Sequence, residues 1–298
     1  VLESPLIFES WNSRKGKSME LGSVSRRRFL ETASLFGLSS LSAGSSAYQL
    51  IASEEIEVTH HTVRLKNLPQ PFDGLKLVHL TDIHHSKFVS FNDVFRMVGL
   101  SNQQDPDLVL LTGDYITWSK KFIGPVAEAL RSLKSRLGVY AVLGNHDIRV
   151  SADQVTQALK KAQIEVLRNA SARIDWGGDS LWIGGVDEYI YGQSDIPEAT
   201  KDVPRSQPKI LLAHNPEIMD EAAGHQVDFV LAGHTHGGQI KIPYMRSLNV
   251  VTQPGRKILE GFVRRGKTQM YISRGLGKVV VPVRIFCPPE IPVFYLRA

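Results

Sequence analysis

The chain predicts an α/β fold, two stacked mixed sheets flanked by helices, on three observations. Five short apolar runs, at 75–80, 108–111, 139–143, 210–213 and 229–231, are aliphatic or β-branched and bounded by glycine or polar residues, the pattern of buried strands. Apolar stripes at helical spacing lie between several of them. From Arg173 onward the pattern turns to hairpins, so alternation of strand and helix gives way to antiparallel pairing.

The elements follow in order. Phe91, Val94, Phe95 and Val98 form a stripe that reads as helical core. Ser151 and Gln154 make a capping box ahead of Val155, Ala158, Leu159 and Ala162, which predicts a helix beginning there. Asn215 before Pro216 offers an N-cap and a first-turn proline, so another helix should start directly after His214. Ile174-Asp175-Trp176, Gly177-Gly178 and Leu181-Trp182-Ile183 read as one hairpin, and 263–272 around Arg265-Gly266-Lys267 as a second. The acidic linker 53–57 divides an N-terminal segment, 1–53, from a domain at 54–298. About 240 residues suffice for one large core without disulfides. The single cysteine, Cys287, reads as a small buried hydrophobe.

Each apolar run ends in a turn bearing metal-type ligands: Asp82-Ile83-His84, Gly113-Asp114, Gly144-Asn145-His146-Asp147, His214-Asn215-Pro216-Glu217 and Gly233-His234-Thr235-His236-Gly237-Gly238. In open α/β sheets, binding groups gather where strands end and loops begin, so one rim would collect all five. Gly113, Gly144 and Gly233 each precede a ligand candidate, where a missing Cβ permits close backbone approach. Two divalent ions about 3.5–4 Å apart can hold a hydroxide between them and clamp the attacking and leaving oxygens of an in-line displacement at phosphorus. Such a pair needs a bridging carboxylate. The mixture of imidazole, carboxylate and amide oxygen suits manganese, iron or zinc, and the absence of cysteine from the cluster disfavours a structural zinc site. Two divalent metal ions are therefore the expected cofactors.

The ordered blocks resemble those of the calcineurin-like metallophosphoesterases, from about Ile56 to the C-terminus. The Gly-His-Thr-His-Gly-Gly-Gln-Ile run, Ser273-Arg274-Gly275-Leu276-Gly277, Pro282-Val283-Arg284 and Phe286-Cys287-Pro288-Pro289-Glu290 look like the bacterial exported phosphodiesterases related to wall-associated phosphoesterases. The resemblance implies a four-layer α-β-β-α sandwich. It implies that Asp82, His84 and His236 hold one ion, that Asn145, His214 and His234 hold the other, and that Asp114 bridges both. It makes His146 the catalytic residue, stabilising the pentacovalent phosphorus or protonating the leaving oxygen, as suits imidazole's near-neutral pKa. Asp147 either orients its loop or is an exposed turn aspartate. Asp114 is followed by Tyr115-Ile116-Thr117-Trp118, not by the G-D-x-x-D-R block of the protein-phosphatase branch, which argues against protein phosphatase activity. His79 reads as a strand residue, and His60, His61, His85 and His225 as surface, with a substrate contact as the second reading for His85. Glu188-Tyr189-Ile190-Tyr191 is the candidate lid.

Ser25-Arg26-Arg27-Arg28-Phe29-Leu30 and the uncharged stretch 32–53 read as a twin-arginine export signal, with Ser45-Ser46-Ala47 as the cleavage site. The segment would be cleaved or kept as an anchor. In either case the catalytic domain would lie outside, in the periplasm or on the outer face of the cytoplasmic membrane. Met19 is the expected initiator, with 1–18 upstream of the translated chain. Charge is uneven: 241–298 holds eleven Lys or Arg against two Glu, within a whole-chain balance of +5. Arg246, Arg256, Arg274 and Arg284 would then attract anionic substrate, or a membrane or cell-wall surface, to the metal rim. No stacking platform or recognition motif points to specific nucleic-acid binding. The expected partners are a phosphodiester substrate and the twin-arginine translocase. The expected function is an exported phosphodiesterase, with a pyrophosphatase of a UDP-linked lipid A precursor or a non-catalytic metal-bound scaffold as alternatives.

Overall fold

The computed structural model describes residues 55–241, 248–249 and 258–298. The segment 1–53 read as an export signal, Arg246 and Arg256 lie outside these residues. Two six-stranded sheets form the body. The first joins β1 (Glu57–Arg64), β2 (Lys76–Leu80), β3 (Leu108–Leu111), β4 (Val139–Ala141), β5 (Glu165–Val166) and β14 (Glu290–Arg297) in the order β1-β14-β2-β3-β4-β5. Its strands are parallel except that β14 runs antiparallel to β2. The second joins β6 (Ala170–Trp176), β7 (Asp179–Gly185), β8 (Ile210–Leu212), β9 (Phe229–Ala232), β12 (Gly261–Arg265) and β13 (Thr268–Ile272) in the order β12-β13-β9-β8-β7-β6. There β13, β9, β8 and β7 are parallel, and the two predicted hairpins add an antiparallel strand at each edge. Apart from both sheets, β10 (Gln239–Ile240) and β11 (Leu248–Asn249) form a small antiparallel pair.

Strand alternation explains the layering, because successive side chains leave opposite faces of a sheet. Leu77, Leu108, Leu110, Ile210, Leu212, Phe229 and Leu231 point into one cluster shared by both sheets. Val78, Leu80, Val109 and Leu111 point the other way, onto the helices α1 (Phe91–Asn102), α2 (Ile123–Leu130) and α3 (Asn145–Lys161). Leu211, Val230 and Met270 face a third cluster with the short helices α4 (Ile196–Thr200) and α5 (Met219–Gly224). Three apolar layers separate four layers of structure, the expected α-β-β-α sandwich. His79 obeys the same alternation: it is buried between strands, with Nε2 2.7 Å from Thr112 Oγ1.

Three local expectations change. The buried face of α1 is Val94, Met97, Val98 and Ser101, whereas Phe91 and Phe95 are exposed. The stripe is real, but the sheet covers only its far side, since residues 94, 97, 98 and 101 centre roughly a quarter turn away from Phe91 and Phe95. The helix expected from Ser151 begins earlier, at Asn145, and is interrupted where Ser151 is extended (φ 179°, ψ 95°). Asn145 thus sits in a first turn after Gly144, whose N–H donates to the Asp147 carboxylate at 2.9 Å. Asn215 does precede a 3-10 turn at Pro216–Ile218, yet its side chain makes no cap bond. Its Oδ1 accepts the Tyr189 N–H instead, at 3.3 Å.

Candidate metal centre

All five ligand-bearing turns leave the C-terminal ends of β2, β3, β4, β8 and β9, so the layered core delivers them to one rim. The turns are tight. Asp82 (φ 52°), His84 (φ 51°), Asp114 (φ 56°), His234 (φ 70°) and His236 (φ 53°) all adopt the left-handed backbone region. Non-glycine residues avoid that region, and such outliers concentrate where function holds them. A Cβ on Gly144 would run into the Asp114 carboxylate, and one on Gly233 into Thr81 and Asp82, which is why glycine precedes these ligands.

The seven predicted ligands fall into two groups. In one, His84 Nε2 and His236 Nε2 are 3.0 Å apart, and Asp82 Oδ1 lies 3.3 Å from His236 Nε2. In the other, Asn145 Oδ1 lies 2.9 Å from His214 Nε2 and 3.0 Å from His234 Nδ1. One oxygen, Asp114 Oδ2, connects them, 3.3 Å from His84 Nε2 and 3.4 Å from His214 Nε2. His146 stands beside the junction. Its ring packs edge-on to His84 at 4.9 Å, and its backbone N–H donates to Asp114 Oδ1 at 2.8 Å.

The donor chemistry fits divalent cations. His214 Nδ1 can only donate to the Thr112 carbonyl, 2.7 Å away, so the Nε2 lone pair of the neutral ring faces the oxygens of Asn145 and Asp114. Three acceptors so placed need a cation or an added proton among them. A proton there accounts for the titration of His214: burial disfavours its charge, but Asp114, Asp82 and the Thr112 carbonyl together outweigh burial and push it up to about 10. Burial holds His84 well below its ordinary value, and burial with the nearby His214 takes His234 down to about 4. Burial opposes charge on Asp82 and Asp114, yet His236 holds the first, and His214 and His146 the second, below the usual carboxylate range. Neutral imidazoles and ionised carboxylates are the forms that bind metal. The orienting bonds from His214 Nδ1 to Thr112 and between His84 Nδ1 and Thr117 Oγ1, at 2.7 Å, are those that usually fix ligating histidines.

Asp147 is a buried loop organiser, not an exposed turn residue. Its carboxylate accepts N–H bonds from Asp114 (2.7 Å), Tyr115 (3.0 Å) and Gly144 (2.9 Å). Burial and the Asp114 charge push it up to about 8, against the pull of these bonds. Asp147→Ala would strand three buried donors, and we expect a loss of roughly 3–5 kcal/mol in stability, read from urea unfolding. A loss under about 1 kcal/mol would remove the organising role.

Arg284 is the residue whose part sequence reading missed. It is buried, and its guanidinium donates to the carbonyls of Gly277 (2.9 Å), Arg274 (2.8 Å) and Gly275 (3.2 Å), and more distantly to His236 (3.4 Å), with Nη2 3.3 Å from Nδ1 of the His236 ring. It therefore ties the loop after β13 to the His236 turn. Arg274 is paired with Glu57 (2.7 Å) and Glu290 (3.3 Å). Neither arginine is free to steer substrate. Arg265 and Lys267 lie at the opposite end of β13, where with Lys66, Arg205 and Lys209 they line a cavity of about 770 Å³. His85 is buried against Phe122 with Nδ1 2.8 Å from the Val89 carbonyl, so it is not a surface residue, whereas His61 is half-buried and packs on the Tyr271 ring at 4.8 Å. Cys287 is buried as expected. In the 188–191 loop Glu188 is buried, while Tyr189, Ile190 and Tyr191 are exposed beside the His214 turn.

The sequence model of the calcineurin-like phosphoesterases matches residues 75–238, the segment that carries every residue of both groups. The chain is 31% identical over 285 residues to the uncharacterized metallophosphoesterase YkuE of Bacillus subtilis (strain 168), covering 92% of this chain and 98% of that protein. It is 29% identical over 277 residues to the phosphodiesterase YaeI of Escherichia coli (strain K12), covering 92% and 99%. Among solved structures, the NAD nucleotidase NadN of Haemophilus influenzae aligns at 16% identity with a TM-score of 0.47, over 71% of this chain and 48% of that longer one. The chain belongs to the calcineurin-like phosphoesterase family and is a metal-dependent phosphoester hydrolase.

Proposed function

We propose that the protein is an exported phosphodiesterase with a dinuclear centre. Asp82, His84 and His236 would hold one ion, Asn145, His214 and His234 the other, with manganese, iron or zinc as the metals. The observation that carries this reading is the single oxygen of Asp114 that lies 3.3 Å from one ligand group and 3.4 Å from the other. When bound, the two ions would supply an activated water and neutralise charge on the phosphoryl oxygens. The chain's own part is positional. Thr112 and Thr117 fix the His214 and His84 rings, Asp147 fixes the Asp114 turn, and His146 holds a ring nitrogen where a leaving oxygen can take its proton.

The similarity to YaeI, which is named a phosphodiesterase, supports diesters as the substrate class. Purified protein supplied with manganese, zinc or iron should hydrolyse aryl phosphodiesters better than aryl monoesters. A clear monoester preference would move it to the phosphatases, and turnover of pyrophosphates alone would favour the UDP-linked alternative. Export rests on the Ser25 to Leu30 signal. Replacing Arg26 and Arg27 with Lys should retain the protein in the cytoplasmic fraction, and unchanged export would reject the twin-arginine route.

A further inference from the structure

Beside the metal centre, the loops after β2 and β3 carry aromatic rings that the described residues leave exposed or half-buried. Trp118 is 55% exposed, and the Phe88 ring meets it edge-on at 6.1 Å. On the adjoining first turns of α1, Phe91 (40% exposed) and Phe95 (53%) stack at 6.3 Å. Single exposed apolar residues are ordinary, but a contiguous group marks an interaction surface. The backbone adds a second observation. Trp118 holds φ 59°, a conformation that bulky residues avoid and that persists only where the surroundings impose it. The imposition is visible in the preceding residue: Thr117 is tied through Oγ1 to the His84 ring (2.7 Å) and through its N–H to the His85 carbonyl (3.3 Å). The turn that orients a metal ligand therefore also presents the Trp118 ring to solvent.

The charges around these rings indicate what covers them. Lys87 lies over Phe88, with Nζ 4.9 Å from the ring centre, and Lys121 lies over Phe122 at the same distance. Lys120 adjoins Lys121, and none of these three lysines has a carboxylate partner among the described residues. The nearby Asp93 is taken up by the start of α1, where it accepts the Ser90 N–H at 2.7 Å. Amphipathic or apolar rings fringed by unpaired lysines match an anionic lipid surface, where aromatics settle at headgroup depth and lysines meet lipid phosphates.

We propose that the Phe88, Phe91, Phe95 and Trp118 patch docks the protein onto an anionic phospholipid bilayer. The Asp114 side of the metal centre then faces the headgroups, since Trp118 lies four residues beyond Asp114 in the same strand-end loop. The proposal rests on the phosphodiesterase reading only for its consequence, that the diester hydrolysed is one borne at a bilayer surface.

The test uses the full chain and vesicles of phosphatidylcholine, with and without an equal part of phosphatidylglycerol, in normal and brominated forms. Brominated anionic vesicles should quench tryptophan fluorescence, and the quenched component should vanish in Trp118→Phe, which keeps an apolar ring but removes the probe. Combined Lys87→Glu, Lys120→Glu and Lys121→Glu should weaken binding to the anionic vesicles about tenfold or more. Far-UV circular dichroism and unfolding temperature confirm that the variants are folded. Vesicle binding with no Trp118 component would mean that another segment docks, and it would overturn the proposal. Failure to bind at all, or protection of Trp118 in a dimer formed without lipid, would do the same. Turnover of a soluble aryl diester by the same wild-type preparation reports separately on the phosphodiesterase reading, because the quenching does not depend on catalysis.

Discussion

Asp114→Ala should leave the protein with neither metal ion firmly held. Both ligand groups close on Oδ2 of this one side chain, at 3.3 and 3.4 Å, and the remaining donors of each group include a single carboxylate or none. Removing a group that merely orients a ligand costs about 10- to 100-fold in metal affinity, so loss of a shared ligand should cost at least about 100-fold at each site. Asp114→Asn keeps the shape and one neutral oxygen but loses the charge that opposes the buried imidazoles, and it should fall between the two. Elemental analysis after dialysis decides the matter. Two ions per chain with undiminished affinity in Asp114→Ala would end the bridging assignment.

His146→Ala should separate chemistry from binding. The contact that His146 makes with Asp114 Oδ1 comes from its backbone N–H, at 2.8 Å, and survives truncation of the side chain. Metal content should therefore stay near that of the wild type while turnover falls by about 10²–10⁴, the usual worth of a positioned acid or base. The side chain does approach the ligands: a ring nitrogen of His146 can gather within 4.8 Å of donor atoms of His84 and Asp114. Metal loss in the variant would thus place His146 among the ligands, and activity within a few-fold of wild type would reject both roles.

The gathering of the candidate ligands at one rim was legible in the sequence because each lies just past a short apolar run, and strand ends are set locally by the run itself. The layering was legible for the same reason, since alternation assigns Leu108 and Val109 to different cores whatever packs on them. What the sequence hid depends on distant partners. The spacing of Phe91, Val94, Phe95 and Val98 declares an apolar stripe but not how much of it the sheet covers. Asn215 has the chemistry of an N-cap, yet a loop from β7 brings the Tyr189 N–H to its side chain. Arg284 reads as one more cation in a basic segment until the fold surrounds it with carbonyls from the loop after β13 and from the His236 turn. Asp147 could be placed only once β3 and β4 had brought Asp114 and Gly144 to the same carboxylate.

The pairing of His84 with His236 spans 152 positions of chain and joins a strand end of the first sheet to one of the second. Contacts of such long range form late, because the entropy of closing the intervening loop must be met before they stabilise anything. Neither half of the molecule can assemble the His84–His236 group by itself, although His84, Asp114 and His146 of the first sheet already lie together. Completion of the proposed centre is therefore gated by the meeting of the two sheets, so that a molecule holding metal at the full centre would also be one that has completed folding. Metal content would then serve as a readout of refolding, rising with the slowest phase and not with the first appearance of helix and strand.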